Sequence, residues 1–281
     1  MNDHDQRFKQ LIKEFFADFL QLFFAKWAER FECSRVEWID KELFLDAPRG
    51  DRRTLDLVAR LPVREAVAVQ AGGVDETWLA LVHIEIESAD KAAPLRPRMH
   101  RAYVALRDEY GLPVLPIALF LKVKLDGVGV DVYEERFLDL TPIRFEYLYV
   151  GLPGLDAVKY LEGDNWLGVA LAALMAIPPH RAAWLGAEAL ERIQSAPLAG
   201  RQKFLLGDCV EAYLPLDSDQ KREFDELLLS GKYPGVIAMN QTTYERGIEK
   251  GIEKGIEKGI EKGIDTDVVK GRRESLRDLL E

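Results

Sequence analysis

Apolar residues recur at three- and four-residue steps through residues 8–31. Phe8, Leu11, Ile12, Phe15, Phe16, Phe19, Leu20, Phe23, Phe24 and Trp27 keep that rhythm, which is the spacing of one helix face. The pattern predicts a helix over 8–31 with Asp5 placed to cap it. Lys9, Lys13, Glu14, Asp18 and Gln21 fall on the remaining face. Three strand-like runs follow. Residues 36–46 form the first, stopped by Pro48-Arg49-Gly50. Residues 54–61 form the second, stopped by Pro62, and residues 77–88 the third, opened by Gly72-Gly73. A helix is expected over 94–110, with Leu95, Met99, Ala102, Tyr103, Leu106 and Tyr110 on one side and Gly111-Leu112-Pro113 as its stop. Residues 114–124 read as an apolar strand and 145–150 as another. Helix, three strands, helix, strand is an α/β order with a mixed central sheet flanked by helices.

The chain divides into three parts. Residues 1–150 carry that α/β pattern. Residues 151–240 are helix-rich, with alanine- and leucine-rich runs at 166–177, 182–195 and 201–214, and hold no chemical constellation. Residues 241–281 carry a repeat: Gly247-Ile248-Glu249-Lys250 recurs three times and decays at Gly263-Ile264-Asp265. Four residues turn an α-helix by about 400°, so the isoleucine stripe creeps by about 40° per unit. A period above 3.6 favours a right-handed wrap. The five glycines from Gly247 to Gly263 each cost about 1 kcal/mol relative to alanine. Two readings stay open for this segment: a helical or flexible tail, and a self-association segment through which the chain forms a homo-oligomer. The spacing matches the GxxxG motif of membrane helices, but Glu and Lys in every unit exclude insertion.

Composition narrows the class. A chain of 281 residues, 48% hydrophobic and 31% charged, is that of a folded globular protein. The N-terminus has neither the basic start nor the apolar core of a signal peptide. The longest apolar runs, 114–123 and 166–177, fall short of the ~20 residues a bilayer requires. No membrane association is expected, and the expected compartment is the cytoplasm. Cys33 and Cys209 form neither a disulfide framework nor a zinc cluster by themselves. The net charge of −10 argues against a nonspecific DNA coat. It leaves room for a nuclease, because a divalent cation reverses the local charge of a carboxylate site.

Alternation along two strands isolates the candidate chemistry. Leu55, Leu57, Ala59 and Leu61 share one face, and Thr54, Asp56, Val58 and Arg60 the other. Ala80, Val82, Ile84 and Ile86 share one face of the later strand, and His83, Glu85 and Glu87 the other. Asp56 and Glu85 therefore sit inside apolar strands, where a charge is costly unless it is paired or binds a metal. Each acid alone also reads as an exposed strand residue or half of an ion pair. Together they suit Mg²⁺, which takes one or two carboxylates and keeps several waters. His83 reads as a packed or hydrogen-bonded histidine rather than a ligand.

These residues carry a family resemblance. The element order, with Asp on the second strand and Glu-x-(Lys/Gln/Glu) on the third, resembles the PD-(D/E)XK nuclease superfamily. Within it the chain is similar to the recombination-promoting nuclease (Rpn) family, also labelled YhgA-like or PD-(D/E)XK family transposases. The resembling stretches are Asp5-Gln6-Arg7-Phe8-Lys9, Phe15-Phe16-Ala17-Asp18-Phe19-Leu20, Leu43-Phe44-Leu45-Asp46, Leu55-Asp56-Leu57-Val58, Leu81-Val82-His83-Ile84-Glu85-Ile86-Glu87, Arg98-Met99-His100-Arg101-Ala102-Tyr103 and Tyr110-Gly111-Leu112-Pro113-Val114. The repeat tail also looks like tails of that family.

The resemblance implies a restriction-endonuclease-like core and a DNA endonuclease dependent on Mg²⁺ or Mn²⁺, linked to recombination or mobile DNA. It implies Asp56 and Glu85 as metal ligands, and Glu14 as the accessory acid carried on the first helix. Glu87 falls where the superfamily has Lys and where Rpn proteins commonly have Gln. An ionised glutamate cannot donate; it acts as a further ligand or a base, or else the site is impaired. Lys91 and Lys122 are two alternatives for the missing cation, and spacing does not choose between them. The following helix presents Arg96, Arg98, His100, Arg101 and Arg107. Arg96, Arg98 and Arg101 are the candidate contacts to DNA phosphates; the alternative is a solvated face or ion pairs with the sheet acids. The competing reading of the whole chain is a catalytically impaired nuclease-fold scaffold that self-associates through its tail.

Overall fold

The long apolar run at the N-terminus is two helices. In the computed structural model, α1 (Asp3–Glu14) and α2 (Phe16–Ala28) meet at Phe15, whose φ of −110° and ψ of 33° leave the helical region. Asp5 lies within α1 rather than at its N-cap. The structure describes residues 3–39, 42–44, 52–68, 76–88, 92, 94–123, 125, 127–230 and 232–233. The tetrapeptide repeat, Lys91 and most of the turn after residue 44 lie outside the described residues.

The strands after α2 are shorter and more broken than alternation suggests. A 3-10 turn at Cys33–Arg35 leads to β1 (Glu37–Trp38) and β2 (Glu42–Phe44) where one strand over 36–46 was expected. β3 (Arg52–Thr54) pairs with β2 as a separate two-stranded ladder. β4 (Leu57–Ala68) and β5 (Glu76–Glu87) form a long antiparallel pair. Pro62 does not end β4. β1 spans only two residues, and beside Pro62 the sheet edge is met only by an isolated bridge at Phe31–Val63, with the Glu32 N–H donating to the Pro62 carbonyl. A proline is tolerated there, and the register shifts just after it.

α3 (Arg96–Tyr110) then crosses over to β6 (Val114–Phe120), which lies parallel to β5, as a helical crossover requires. Gly111, at φ 62°, caps α3 in the left-handed region. A hairpin of β7 (Val128–Phe137) and β8 (Leu140–Gly151) completes a mixed, open sheet of six strands, ordered β1-β4-β5-β6-β8-β7. β7 escaped the sequence reading because it is an edge strand with no buried residue. The expected strand at 145–150 is the buried end of β8.

One sheet face packs on α3. Val58, Leu81, Leu55, Ala102 and Leu106 form one cluster there, and Leu95, Met99, Ala118, Phe120 and Tyr147 belong to another. α4 (Ala157–Leu161), α5 (Trp166–Leu171), α6 (Ala182–Ser195), α7 (Gly200–Tyr213) and α8 (Ser218–Leu229) follow. α8 has no fully buried residue.

α1 and α2 have neighbours on both sides. Phe16 meets Trp38 of β1 edge-on, while Phe8 meets Tyr213 of α7 and Phe23 meets Tyr160 of α4. That double packing explains why phenylalanines crowd more than one stripe of this segment. Met1–Tyr233 forms one compact unit. Among the described residues, no helix is long and apolar enough to cross a membrane.

Candidate functional site

The β4–β5 ladder ends at the pair Leu57–Ile84. Asp56 stands one residue beyond it, in a bend, so its side chain takes over where the backbone ladder stops. Its Oδ2 accepts the backbone N–H of Ile86 at 2.8 Å. The acid is thereby fixed against the main chain of β5, beside Glu85. Because side chains alternate along a strand, Leu81, His83, Glu85 and Glu87 all look toward α3. That face is not a polar surface. His83 is fully buried and Glu85 is 6% exposed.

Both acids are held from several directions. Lys9 of α1 brings its Nζ to 2.5 Å from Asp56 Oδ1. His83 Nε2 lies 2.9 Å from Glu85 Oε1. Arg98 of α3 donates to Glu85 Oε2 at 3.3 Å and to Glu87 Oε2 at 2.8 Å. Asp56 and Glu85 also feel each other's charge. Burial, and then the neighbouring Glu85 carboxylate, raise Asp56 above the usual carboxylate range despite Lys9 and the Ile86 N–H. Burial pushes Glu85 upward too. The His83 hydrogen bond, with the His83 and Arg98 charges, outweighs it and holds Glu85 low. At Asp56 burial therefore outweighs the partners, and at Glu85 the partners outweigh burial.

The structure brings together Asp56, Glu85 and Glu87, and adds Lys9, His83 and Arg98. Glu14 is elsewhere: exposed at the end of α1, it accepts a hydrogen bond from Gln202 of α7 at 3.1 Å. Arg96 is bound in a two-pronged pair with Asp131 of β7, both contacts at 3.0 Å, and Tyr147 donates to the same carboxylate. Arg101 is exposed. His100 packs against Tyr133 and Phe145. Lys122 is exposed just after β6. The cations at the acids are therefore Lys9 and Arg98.

Lys9 was absent from the sequence-based site, though a signal was present. It lies three residues before Ile12, which is fully buried, and so shares a stripe with it. Treating every lysine on α1 as solvent-facing hid that phase.

Among the described residues, no group of three or more His, Cys, Asp or Glu side chains is arranged to hold a metal ion. The donors that are present still suit a hard cation. They are carboxylate oxygens from β5 and from the bend that leads into β4, Asp56 keeps 16% of its side chain open, and the two charges repel. Mg²⁺ needs one or two such carboxylates and fills its remaining positions with water. No family model, curated protein or solved structure matched the chain.

Proposed function

We propose that the chain is a metal-dependent DNA endonuclease of the PD-(D/E)XK type, with its centre at the end of the β4–β5 ladder. The observation that carries this reading is the meeting of Asp56, in the bend before β4, with Glu85 of β5 in a pocket of charge beneath α3. The order of helix, antiparallel strands, crossover helix and parallel strand supports this reading. Asp56 and Glu85 would hold Mg²⁺ or Mn²⁺. When bound, the cation lowers the pKa of a water and neutralises charge developing on a phosphodiester.

The protein's own residues do the positioning. The Ile86 N–H fixes one oxygen of Asp56. His83, buried behind Glu85, fixes that carboxylate's orientation. Arg98 brings the positive charge that Glu87 cannot supply from the position where the superfamily has lysine. Glu87 stands beside Glu85 as a further acid, and the tail beyond residue 240 would serve association between copies.

The test is plasmid nicking across a series of divalent cations. Cleavage should need Mg²⁺ or Mn²⁺, stop with chelator, and disappear in Asp56→Ala and Glu85→Ala. Persistence in both variants would remove the assignment. Glu87→Gln and Glu87→Lys belong in the same assay, because slower cleavage by both would make Glu87 a working ligand or base.

A second reading is favoured by one observation. Lys9, Ile86, His83 and Arg98 between them reach all four oxygens of Asp56 and Glu85. A site so fully paired suits a nuclease-fold scaffold that no longer cuts. That reading expects no cleavage with any divalent cation. It also expects loss of self-association when residues 245–264 are deleted.

A further inference from the structure

Three charged or polar side chains among the described residues are buried: Lys9 at 5%, His83 at 0% and Glu85 at 6% exposure. All three stand at the same site. Lysine is almost never buried without a partner, because removing an ammonium from water is expensive. Lys9 comes from α1, an element that contributes nothing to the strand pair carrying the acids. It reaches Asp56 on Oδ1, the oxygen that Ile86 leaves open. A cation held by Asp56 would compete with Lys9 for this carboxylate.

We propose that Lys9 is an exchangeable ammonium that couples cation binding to DNA binding: it holds Asp56 until a divalent cation takes that oxygen, and then neutralises an anionic phosphodiester oxygen. The proposal rests on the nuclease reading above. Its logic is electrostatic. An ammonium and a divalent cation cannot share one carboxylate oxygen without strong repulsion. The displaced charge stays in a largely buried site, where it favours an incoming anion. DNA brings that anion, so each ligand improves the site for the other, and the coupling is reciprocal.

Calcium binding to the full-length protein, measured by calorimetry with and without a short DNA duplex, reads this directly. Lys9→Met should bind Ca²⁺ about tenfold more tightly than wild type without DNA, as expected for removal of one nearby like charge. The duplex should tighten Ca²⁺ binding by about tenfold in wild type and by less than about twofold in Lys9→Met, a coupling of ordinary size. Lys9→Arg, which keeps the charge, should keep the coupling. Lys9→Gln provides a second neutral variant, with the same expectation, in case Lys9→Met does not fold.

A purely structural Lys9 would lower affinity in the neutral variants rather than raise it. Ca²⁺ affinity that is unchanged or weaker in both, or coupling that survives in both, overturns the role of Lys9 while wild-type cleavage leaves the nuclease reading standing. A wild-type protein that binds no Ca²⁺ with or without DNA overturns both.

Discussion

Asp56 Oδ2 accepts the Ile86 backbone N–H at 2.8 Å, one step past the last backbone pair of β4 and β5. The same carboxylate meets Lys9 through its other oxygen. Asp56→Ala leaves both donors without that partner. Stranding one member of a buried ion pair costs about 3–5 kcal/mol, so the variant should lose stability on that scale in urea denaturation. Asp56→Asn keeps an oxygen for Ile86. It should be less destabilised than Asp56→Ala by about 1 kcal/mol, the value of one hydrogen bond. Equal losses in the two variants would mean that the Ile86 contact contributes nothing.

Much of the site was legible because alternation is a strong constraint. One face of β5 must carry Glu85 and Glu87 if Ile84 and Ile86 go the other way, and antiparallel pairing with the strand of Leu57 then brings Asp56 alongside. What alternation could not show is what lies over that face. α3 covers His83 and Glu85, and Arg98 arrives from a helix whose offset no local pattern sets. The break at Phe15 was invisible for a related reason. The apolar rhythm continues across it, since both short helices bury phenylalanines. β7 and α8 were missed because neither buries a full stripe, and periodicity reports burial rather than secondary structure as such.

Asp131 gives a pH-dependent prediction away from the acids of the site. Burial raises it, but hydrogen bonds from Arg96 and Tyr147 outweigh burial and hold it below its ordinary value. A lowered carboxylate stabilises the fold above its unfolded pKa of about 3.9, and that contribution is lost as pH falls through the folded value. Asp131→Asn should therefore be less stable than wild type by about 1 kcal/mol at pH 7, a discounted figure for a pair with an arginine partly in solvent. The gap should close as pH drops below 4. Urea midpoints for both proteins at pH 7 and pH 3 check this, and a gap that widens on acidification would refute it.

The two cysteines should report folding without any mutation. Cys33 is partly exposed and Cys209 is buried. Burial raises both thiols, Cys209 much the more strongly, and only the thiolate reacts with alkylating reagents. At pH 8 in native buffer, a maleimide should modify Cys33 slowly and leave Cys209 untouched. In denaturant both should react at once. Mass spectrometry of the labelled peptides decides it, and native labelling at Cys209 would contradict the packing of α7 against α5.

The three arginines suggested for DNA contact should separate into different roles. Arg96 is committed to Asp131 by two hydrogen bonds, so Arg96→Ala should cost stability and leave DNA affinity nearly unchanged. Arg101 is exposed on the same helix. If it meets a phosphate, Arg101→Ala should weaken binding across all sequences and reduce the salt slope by about 1. Arg98 is the conditional case, because it spans Glu85 and Glu87. Without a divalent cation its charge is taken by those acids, and Arg98→Ala should not weaken DNA binding. With Ca²⁺ on the acids the guanidinium turns to the nearest anion, and Arg98→Ala should then lower affinity by about tenfold, the lower end for one charge-assisted contact at about 1.5 kcal/mol. Fluorescence anisotropy of a labelled duplex over a salt series, with and without Ca²⁺, resolves the three. An Arg98→Ala defect of equal size in both conditions would show that Arg98 reaches DNA independently of the acids, and the idea of a cation-controlled arginine would be discarded.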